Sequence, residues 1–355
     1  RAGWHIFVVT ELLDLFQMYP ALCPDGALNI PESGNGVPDV LDEACWGLAW
    51  FVRMQDTNDG GLFYRIESAD YGHVKPEDDR QQLYAMSKYP KYTAFFAAGA
   101  AQAARVLQPW ITSNAYAELA GRAQRAYEYG VRHNAPVEAL SRAAAELFLT
   151  TGSSVYHQAF IASGQMQSWS YAVSGADGVD AGAQRACRTW FLDQAARLAA
   201  RIATNGYPVV NGGIGAGAGR AANLLMRAHY LSGDTNYLDM ARLITHAQLG
   251  LNALRRSWIT GVGVDPPEEV THAPSVQARR VLPGLPIFGP HAWEAEPKTT
   301  HARVLWQVSS PHPYPWMRMY APAWAIPSIS EFTVRDIAEI ALAYGALHAQ
   351  VLPAD

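Results

Sequence analysis

Apolar residues recur at helical spacing along almost the whole chain, and convincing β-runs are few and short. Residues 8–18 predict the first helix. Residues 38–54 predict the second, in which Val40, Leu41, Ala44, Leu48, Phe51 and Val52 share one face. Pro38 suits its first helical position, directly after an Asn35-Gly36 turn. Trp46 lies inside that helix and is expected in the core. Further helices are predicted over 91–107, 116–129, 137–150, 188–204, 220–232, 237–249 and 333–348.

A short pattern occurs twice. Leu149-Thr150-Thr151-Gly152-Ser153-Ser154-Val155-Tyr156 echoes Tyr230-Leu231-Ser232-Gly233-Asp234-Thr235-Asn236-Tyr237. Each copy reads as a helix ending at glycine, followed by a helix beginning just before tyrosine, which makes an αα-hairpin. Repeated αα-hairpins suit a solenoid or a closed toroid. The long irregular segments 57–90, 205–219 and 261–330 favour the toroid, because loops of that length in a compact domain usually build a site. The expectation is an all-α chain, an (α/α)6 toroid forming a single domain over residues 1–355.

Composition narrows the class. Of the 355 residues, 49% are apolar and 17% charged, a globular balance and not a disordered one. The formal charge of −5 comes without a basic stripe, so no nucleic-acid partner is expected. No window of eighteen apolar residues is present, so no membrane span is expected. Three cysteines, Cys23, Cys45 and Cys187, are too few and too scattered for a disulfide framework or a zinc site. Cys45 reads as a buried free thiol, with a Cys23–Cys45 bridge as the alternative. Eleven Trp and seventeen Tyr are many, and sugar rings stack on such side chains, although most aromatics in any protein are core. The chain opens at Arg1 and runs quickly into an apolar stretch with no initiator Met or polar leader, and it reads as the inside of a longer sequence.

Three stretches carry a resemblance. The first is Leu28-Asn29-Ile30-Pro31-Glu32-Ser33-Gly34-Asn35-Gly36-Val37-Pro38-Asp39-Val40-Leu41-Asp42-Glu43-Ala44, continuing through Trp46-Gly47-Leu48 to Asp59-Gly60-Gly61. The second runs from Gly250-Leu251-Asn252 through Ser257-Trp258-Ile259-Thr260-Gly261-Val262-Gly263 to His272-Ala273-Pro274-Ser275. The third is Ser330-Glu331-Phe332-Thr333-Val334, at the start of the last predicted helix. Taken in order, these resemble the catalytic domain of glycoside hydrolase family nine, and the resemblance covers essentially the whole chain. It implies the six-hairpin α/α toroid and hydrolysis of a β-linked glycan with inversion. No cofactor is required by it. It also implies an oligosaccharide or polysaccharide partner and a secreted or periplasmic setting, since relatives are often secreted.

Inverting hydrolysis needs a protonated carboxyl for the leaving oxygen and a carboxylate for the attacking water, roughly 6.5–9.5 Å apart. Glu331 matches the family's acid. At a helix start its charged form is favoured by the helix dipole, which opposes acid duty. Apolar neighbours such as Trp324, Ile329 and Phe332 are the expected counterweight. The plainer reading of Glu331 is a first-turn cap of the last helix. The family's base comes from an Asp-Ala-Gly-Asp motif, which these 355 residues do not contain. Arg1-Ala2-Gly3-Trp4-His5 either follows that motif or is a remnant of it, so an N-terminal part is expected to be missing. The 355 residues alone are then expected to turn over little glycan.

Substrate contacts are partly recoverable. Where the family often carries His-His-Arg, this chain has Thr271-His272-Ala273, which keeps His272 and loses the guanidinium. Asn211-Gly212-Gly213-Ile214-Gly215 falls where relatives have Trp-Gly-Ser, so a stacking platform is expected to be lost there. Tyr320 and Trp324 precede Glu331 in a proline-rich loop and suit contact with a sugar ring. Glu77, Asp78 and Asp79 form an acidic loop that suits a cleft wall, a structural Ca2+ or a solvated charge cluster. The choice among cellulose-type β-1,4-glucan and glucosamine-containing chains stays open, because the Ser-Glu-Phe-Thr-Val form resembles the exo-acting glucosaminidase-like branch as much as the endoglucanases. The alternative from another class is a glycan-binding relative that kept the cleft and lost the base. A terpenoid cyclase or polysaccharide lyase on an α/α toroid is disfavoured by the ordered motifs.

Overall fold

Small side chains on a helix let its neighbours approach closely, and the helix over Pro90–Leu107 carries many of them. In the computed structural model, which describes residues 2–69, 76–208, 215–290, 300–308 and 315–351, this helix is buried almost all round. The elements in chain order are α1 (Ala2–Met18), α2 (Asp39–Met54), a two-stranded ribbon of β1 (Ile66–Ser68) and β2 (Leu83–Ala85), then α3 (Pro90–Leu107), α4 (Ser113–Arg132), α5 (Val137–Thr151), α6 (Ser154–Ser163), α7 (Trp169–Val173) and α8 (Ala181–Asn205). There follow α9 (Gly217–Ser232), α10 (Thr235–Leu249) and the short α11 (Ala273–Ala278), α12 (Thr300–Val308) and α13 (Pro327–Ser330), with α14 (Val334–Ala349) last. β1 and β2 pair antiparallel with Ile66 opposite Ala85. Packing divides the chain into two compact units, Arg1–Ala69 with Gln82–Asp193, and Asp70–Gln81 with Gln194–Asp355.

In the first unit α3 packs on α1, α4 and α5. Gly99 of α3 faces Ile6 of α1 so closely that an added Cβ would lie 2.8 Å from its Cδ1. The polar groups that this packing buries are paired, as burial requires. Gln102 donates to Asp14 Oδ1 at 2.6 Å, and Arg105 reaches Glu146 at 2.8 Å. The long motif at 28–44 is a folded loop ahead of α2. Asp39 accepts hydrogen bonds from Leu28 N and Gly26 N, and Asp25 accepts from Gly34 N and Gly36 N. The bond from Leu28 leads the effects that hold the Asp39 carboxyl below its usual value. At the end of the same motif, Lys88 Nζ bridges Asp56 at 2.6 Å and Asp59 at 2.8 Å.

In the second unit α9 packs on α10 and α14. A Cβ on Gly219 would lie 2.9 Å from the backbone nitrogen of Ile340, so only glycine permits that approach of α9 to α14. Buried Glu339 accepts from Arg220 at 3.1 Å and Arg335 at 2.7 Å, which compensates its desolvation. A core of Trp258, Val270, Leu285 and Ile287 lies under the irregular segment that follows α10.

Both copies of the repeated pattern fold as expected. Gly152 and Gly233 take the left-handed conformation at φ 70° and 71°, and each amide donates back to the preceding helix, to Phe148 O and His229 O. Several expectations are corrected. Pro38 stands one residue before α2, not inside it, and its carbonyl accepts from Leu41 N at 2.8 Å. Trp46 is 74% exposed, because it lies off the face of α2 that buries Val40, Leu41, Ala44, Leu48 and Phe51. Helix α6 begins just before Tyr156 as the pattern predicts, whereas α7, α11, α12 and α13 were not predicted; most of these are too short to show a period. All three cysteines are free, with Cys45 only half-buried, and desolvation pushes each thiol up to about 11.

Candidate active site

Glu331 sits at the break between α13 and α14, with extended backbone at φ −83° and ψ 158°. Pro327 starts α13, and its carbonyl accepts the Glu331 amide at 3.0 Å, which closes that single turn. Two other segments then fix the same stretch of backbone. Phe288 N donates to Glu331 O at 2.8 Å, Gly289 N to Ile329 O at 2.9 Å, and Thr271 N to Ser330 O at 2.9 Å. The Ser330 hydroxyl, itself fully buried, donates to Ala323 O at 2.7 Å.

The cap of α14 is made elsewhere. Thr333 accepts from Asp336 N at 3.2 Å while the Asp336 carboxylate accepts from Thr333 N at 3.1 Å, a complete capping box. This removes the plain structural reading of Glu331 as the cap. Its residue is exposed to solvent, while Ile329 is buried in the core beneath with Leu305, Met319 and Ile326.

His272 lies one residue past Thr271, and its ring meets Phe332 edge-on with centroids 5.6 Å apart. Its Nδ1 is 2.8 Å from the Ser275 hydroxyl, which leaves Nε2 as the ring nitrogen to meet a ligand. Burial lowers its pKa, so the neutral imidazole is favoured. Trp324 is held at both backbone groups: its N–H donates to Glu269 Oε2 at 3.1 Å, and its carbonyl accepts from Thr271 Oγ1 at 2.6 Å. It stays 42% exposed. Thr271 thus ties Trp324 to the residue before Glu331, and the structure brings Glu331, His272 and Trp324 into one neighbourhood.

Tyr320 is placed differently. Its ring packs edge-on against Trp258 at 5.0 Å, with the Arg256 guanidinium 4.9 Å from its centroid, so much of its surface goes to protein contacts. Burial raises its pKa. Glu77 and Asp78 are exposed on a single 3-10 turn over Pro76–Asp78. Among the described residues no group of three His, Cys, Asp or Glu side chains is arranged to hold a metal ion, so the Ca2+ reading of that loop gains no ligand set. Among the described residues no helix is long and apolar enough to cross a membrane. The stretch 211–214 lies outside the described residues.

Glu269, Thr271 and Ser275 were not singled out from the sequence. Ser275 stands in the second motif and so carried a signal. Glu269 carried none, because its partner is 55 residues away.

The chain is mostly helical, and it sets an exposed glutamate at a helix junction in one neighbourhood with an imidazole and an indole. The chain belongs to glycosyl hydrolase family 9, whose model matches residues 5–302. The match ends before Glu331. A xyloglucan-specific endo-β-1,4-glucanase of Bacteroides ovatus is 33% identical over 138 residues, 38% of this chain and 23% of that protein. Endoglucanase D of Acetivibrio thermocellus is 24% identical over 284 residues, 68% of this chain and 45% of that protein. The chain therefore spans less than half the length of these curated relatives. A metagenome-derived glycoside hydrolase family 9 endoglucanase superposes with a TM-score of 0.85 at 25% identity, covering 99% of this chain and 69% of that one. The fold is the helical α/α barrel expected from the sequence.

Proposed function

We propose that the protein is an inverting β-glycoside hydrolase, with Glu331 as the acid and residues 1–355 serving as one catalytic domain. Its substrate is a β-1,4-linked glucan of cellulose or xyloglucan type, or a glucosamine-containing oligosaccharide. The observation that carries the reading is the placement of Glu331. The Pro327 carbonyl and the Phe288 amide hold its backbone, the helix-capping role is filled by Thr333 and Asp336, and the residue is exposed in a member of a glycosidase family. The names of the relatives, two of them β-1,4-glucan-directed or endoglucanases, support the substrate class.

In this reading protonated Glu331 gives its proton to the glycosidic oxygen as the C1–O bond breaks. Water then adds to C1 from the opposite face and loses its proton to a carboxylate. His272 Nε2 and the Trp324 ring contact the sugar beside the cleaved bond, and Glu77 and Asp78 are candidates for a more distant wall. Tyr320 contributes by packing on Trp258 more than by stacking on sugar.

The test is release of reducing ends from soluble β-1,4-glucan, xyloglucan and chitosan oligomers by the full-length gene product. Residues 1–355 alone serve as the comparison, since the water-activating carboxylate has no matched position among them. Glu331→Gln keeps the shape and removes the transferable proton, so turnover should fall by roughly 10²–10⁴. Parental turnover by that variant would remove Glu331 from the role.

A further inference from the structure

A glutamate four residues ahead of an arginine on a helix is the arrangement in which the two ordinarily pair. Glu138 and Arg142 stand so on α5, yet they form no ion pair. Glu138 Oε1 takes Lys91 Nζ of α3 at 3.1 Å instead. The Arg142 guanidinium lies over the Phe7 ring of α1, 5.3 Å from its centroid. Among the described residues it makes no ion pair and no hydrogen bond. Arg142 is half-buried, so a charge has been drawn partly out of water and given no anion.

Arg142 lines a pocket of the first unit, about 140 Å3 in volume, together with Phe7, Phe95, Glu138, Gln165 and Gln167. A cavity of about 150 Å3 takes one benzene ring, so this one suits a single six-membered ring. The segment that carries the two glutamines is fixed to α5. Gln165 N donates to Ser163 Oγ at 3.1 Å, and its carbonyl accepts from Ser141 Oγ at 3.1 Å. The two serine hydroxyls lie 2.8 Å apart, and buried Ser141 directly precedes Arg142. The Gln165 side-chain oxygen accepts from Gln167 Nε2 at 3.4 Å, which leaves Gln165 Nε2 as a further donor. With Glu138 held by Lys91, the pocket offers a guanidinium and an amide donor beside an apolar wall.

We propose that this pocket binds the carboxylate of a small acidic ligand, one ring in size, with Arg142 as its cation and Gln165 as a second donor. A guanidinium presents paired N–H groups that match the two oxygens of a carboxylate. Phe7 and Phe95 supply the surface for the ring that bears it. A neutral ligand would leave the guanidinium unpaired, and a cationic one would be repelled. The ring is either a hexuronate, whose exocyclic carbon is the carboxylate, or a cyclic carboxylic acid unrelated to any glycan. Nothing in this assignment uses Glu331, which belongs to the other unit and does not line the pocket.

The test is calorimetric titration of the full-length protein with glucuronate, cyclohexanecarboxylate and glucose. Glucose keeps the sugar ring and lacks the charge, so a carboxylate should bind at least tenfold more tightly than glucose. Preference for glucuronate over cyclohexanecarboxylate makes the ligand an acidic sugar, and equal binding of the two makes it any acid of that size. Arg142→Gln should lower the carboxylate's affinity about tenfold, whereas Glu138→Gln should not lower it. Glucose binding as tightly as both acids overturns the proposal, and so does the absence of binding by either acid. Undiminished affinity in Arg142→Gln, or an equal loss in Glu138→Gln, overturns it as well. The comparison of probes on the unmutated protein stands even where a variant fails to fold. No turnover is read, so failure here leaves the Glu331 assignment standing.

Discussion

The ring of His272 is fixed by Ser275 and Phe332, and burial lowers its pKa from the ordinary 6.5. The folded state therefore prefers the neutral ring, and the unfolded chain binds the proton more readily. The stabilising effect of keeping the ring neutral is present above the unfolded value and is lost as pH falls from 6.5 toward the folded one. Replacing it by glutamine keeps a polar partner for Ser275 and removes the titration. Melting temperatures measured from pH 8 to pH 5 should fall more steeply for the parent than for His272→Gln. Parallel curves would mean that the ring protonates freely in the folded protein. At the same scale, Glu331 was legible only through its motif. Nothing in the local pattern distinguished a helix cap from a carboxyl with another role, and the distinction came from Thr333 and Asp336 completing the cap themselves.

Among the elements, long helices were the readable part. α3, α5 and α10 keep apolar period over four turns or so, and the glycines that end α5 and α9 are the ones that must turn left-handed. Short helices such as α11 and α13 are set by prolines and by distant backbone partners, for which no local period exists. Close helix approaches were also hidden, since a glycine within a helix reads as a weakness until its neighbour is known. Two of them give a paired test. Gly219→Ala would push a methyl to 2.9 Å from the Ile340 backbone nitrogen, which cannot move without shifting α14. Gly99→Ala meets only side-chain atoms, closely those of Ile6 and more loosely Thr10, and it gains helix propensity. Urea unfolding should show a loss of about 1–3 kcal/mol for Gly219→Ala and a smaller one for Gly99→Ala. Equal losses would mean that the α9–α14 approach is looser than described.

Over the whole molecule, ordered motifs made the family readable, and the match over residues 5–302 agrees with them. Assembly of the site was less readable, because it depends on backbone bonds across long separations, Thr271 to Ser330 and Phe288 to Glu331. Those bonds decide which exposed groups share a neighbourhood; Tyr320 packs on Trp258, while Trp324 is 42% exposed. In the proposed reaction this neighbourhood donates a proton from Glu331 during inverting hydrolysis. The most direct measurement is the proton NMR spectrum of the first sugar released from a cello-oligosaccharide by the full-length protein. Inversion with Glu331 as the acid gives the α anomer first, with the signal lost in Glu331→Gln. A β anomer appearing first, or an undiminished signal from the variant, would contradict it.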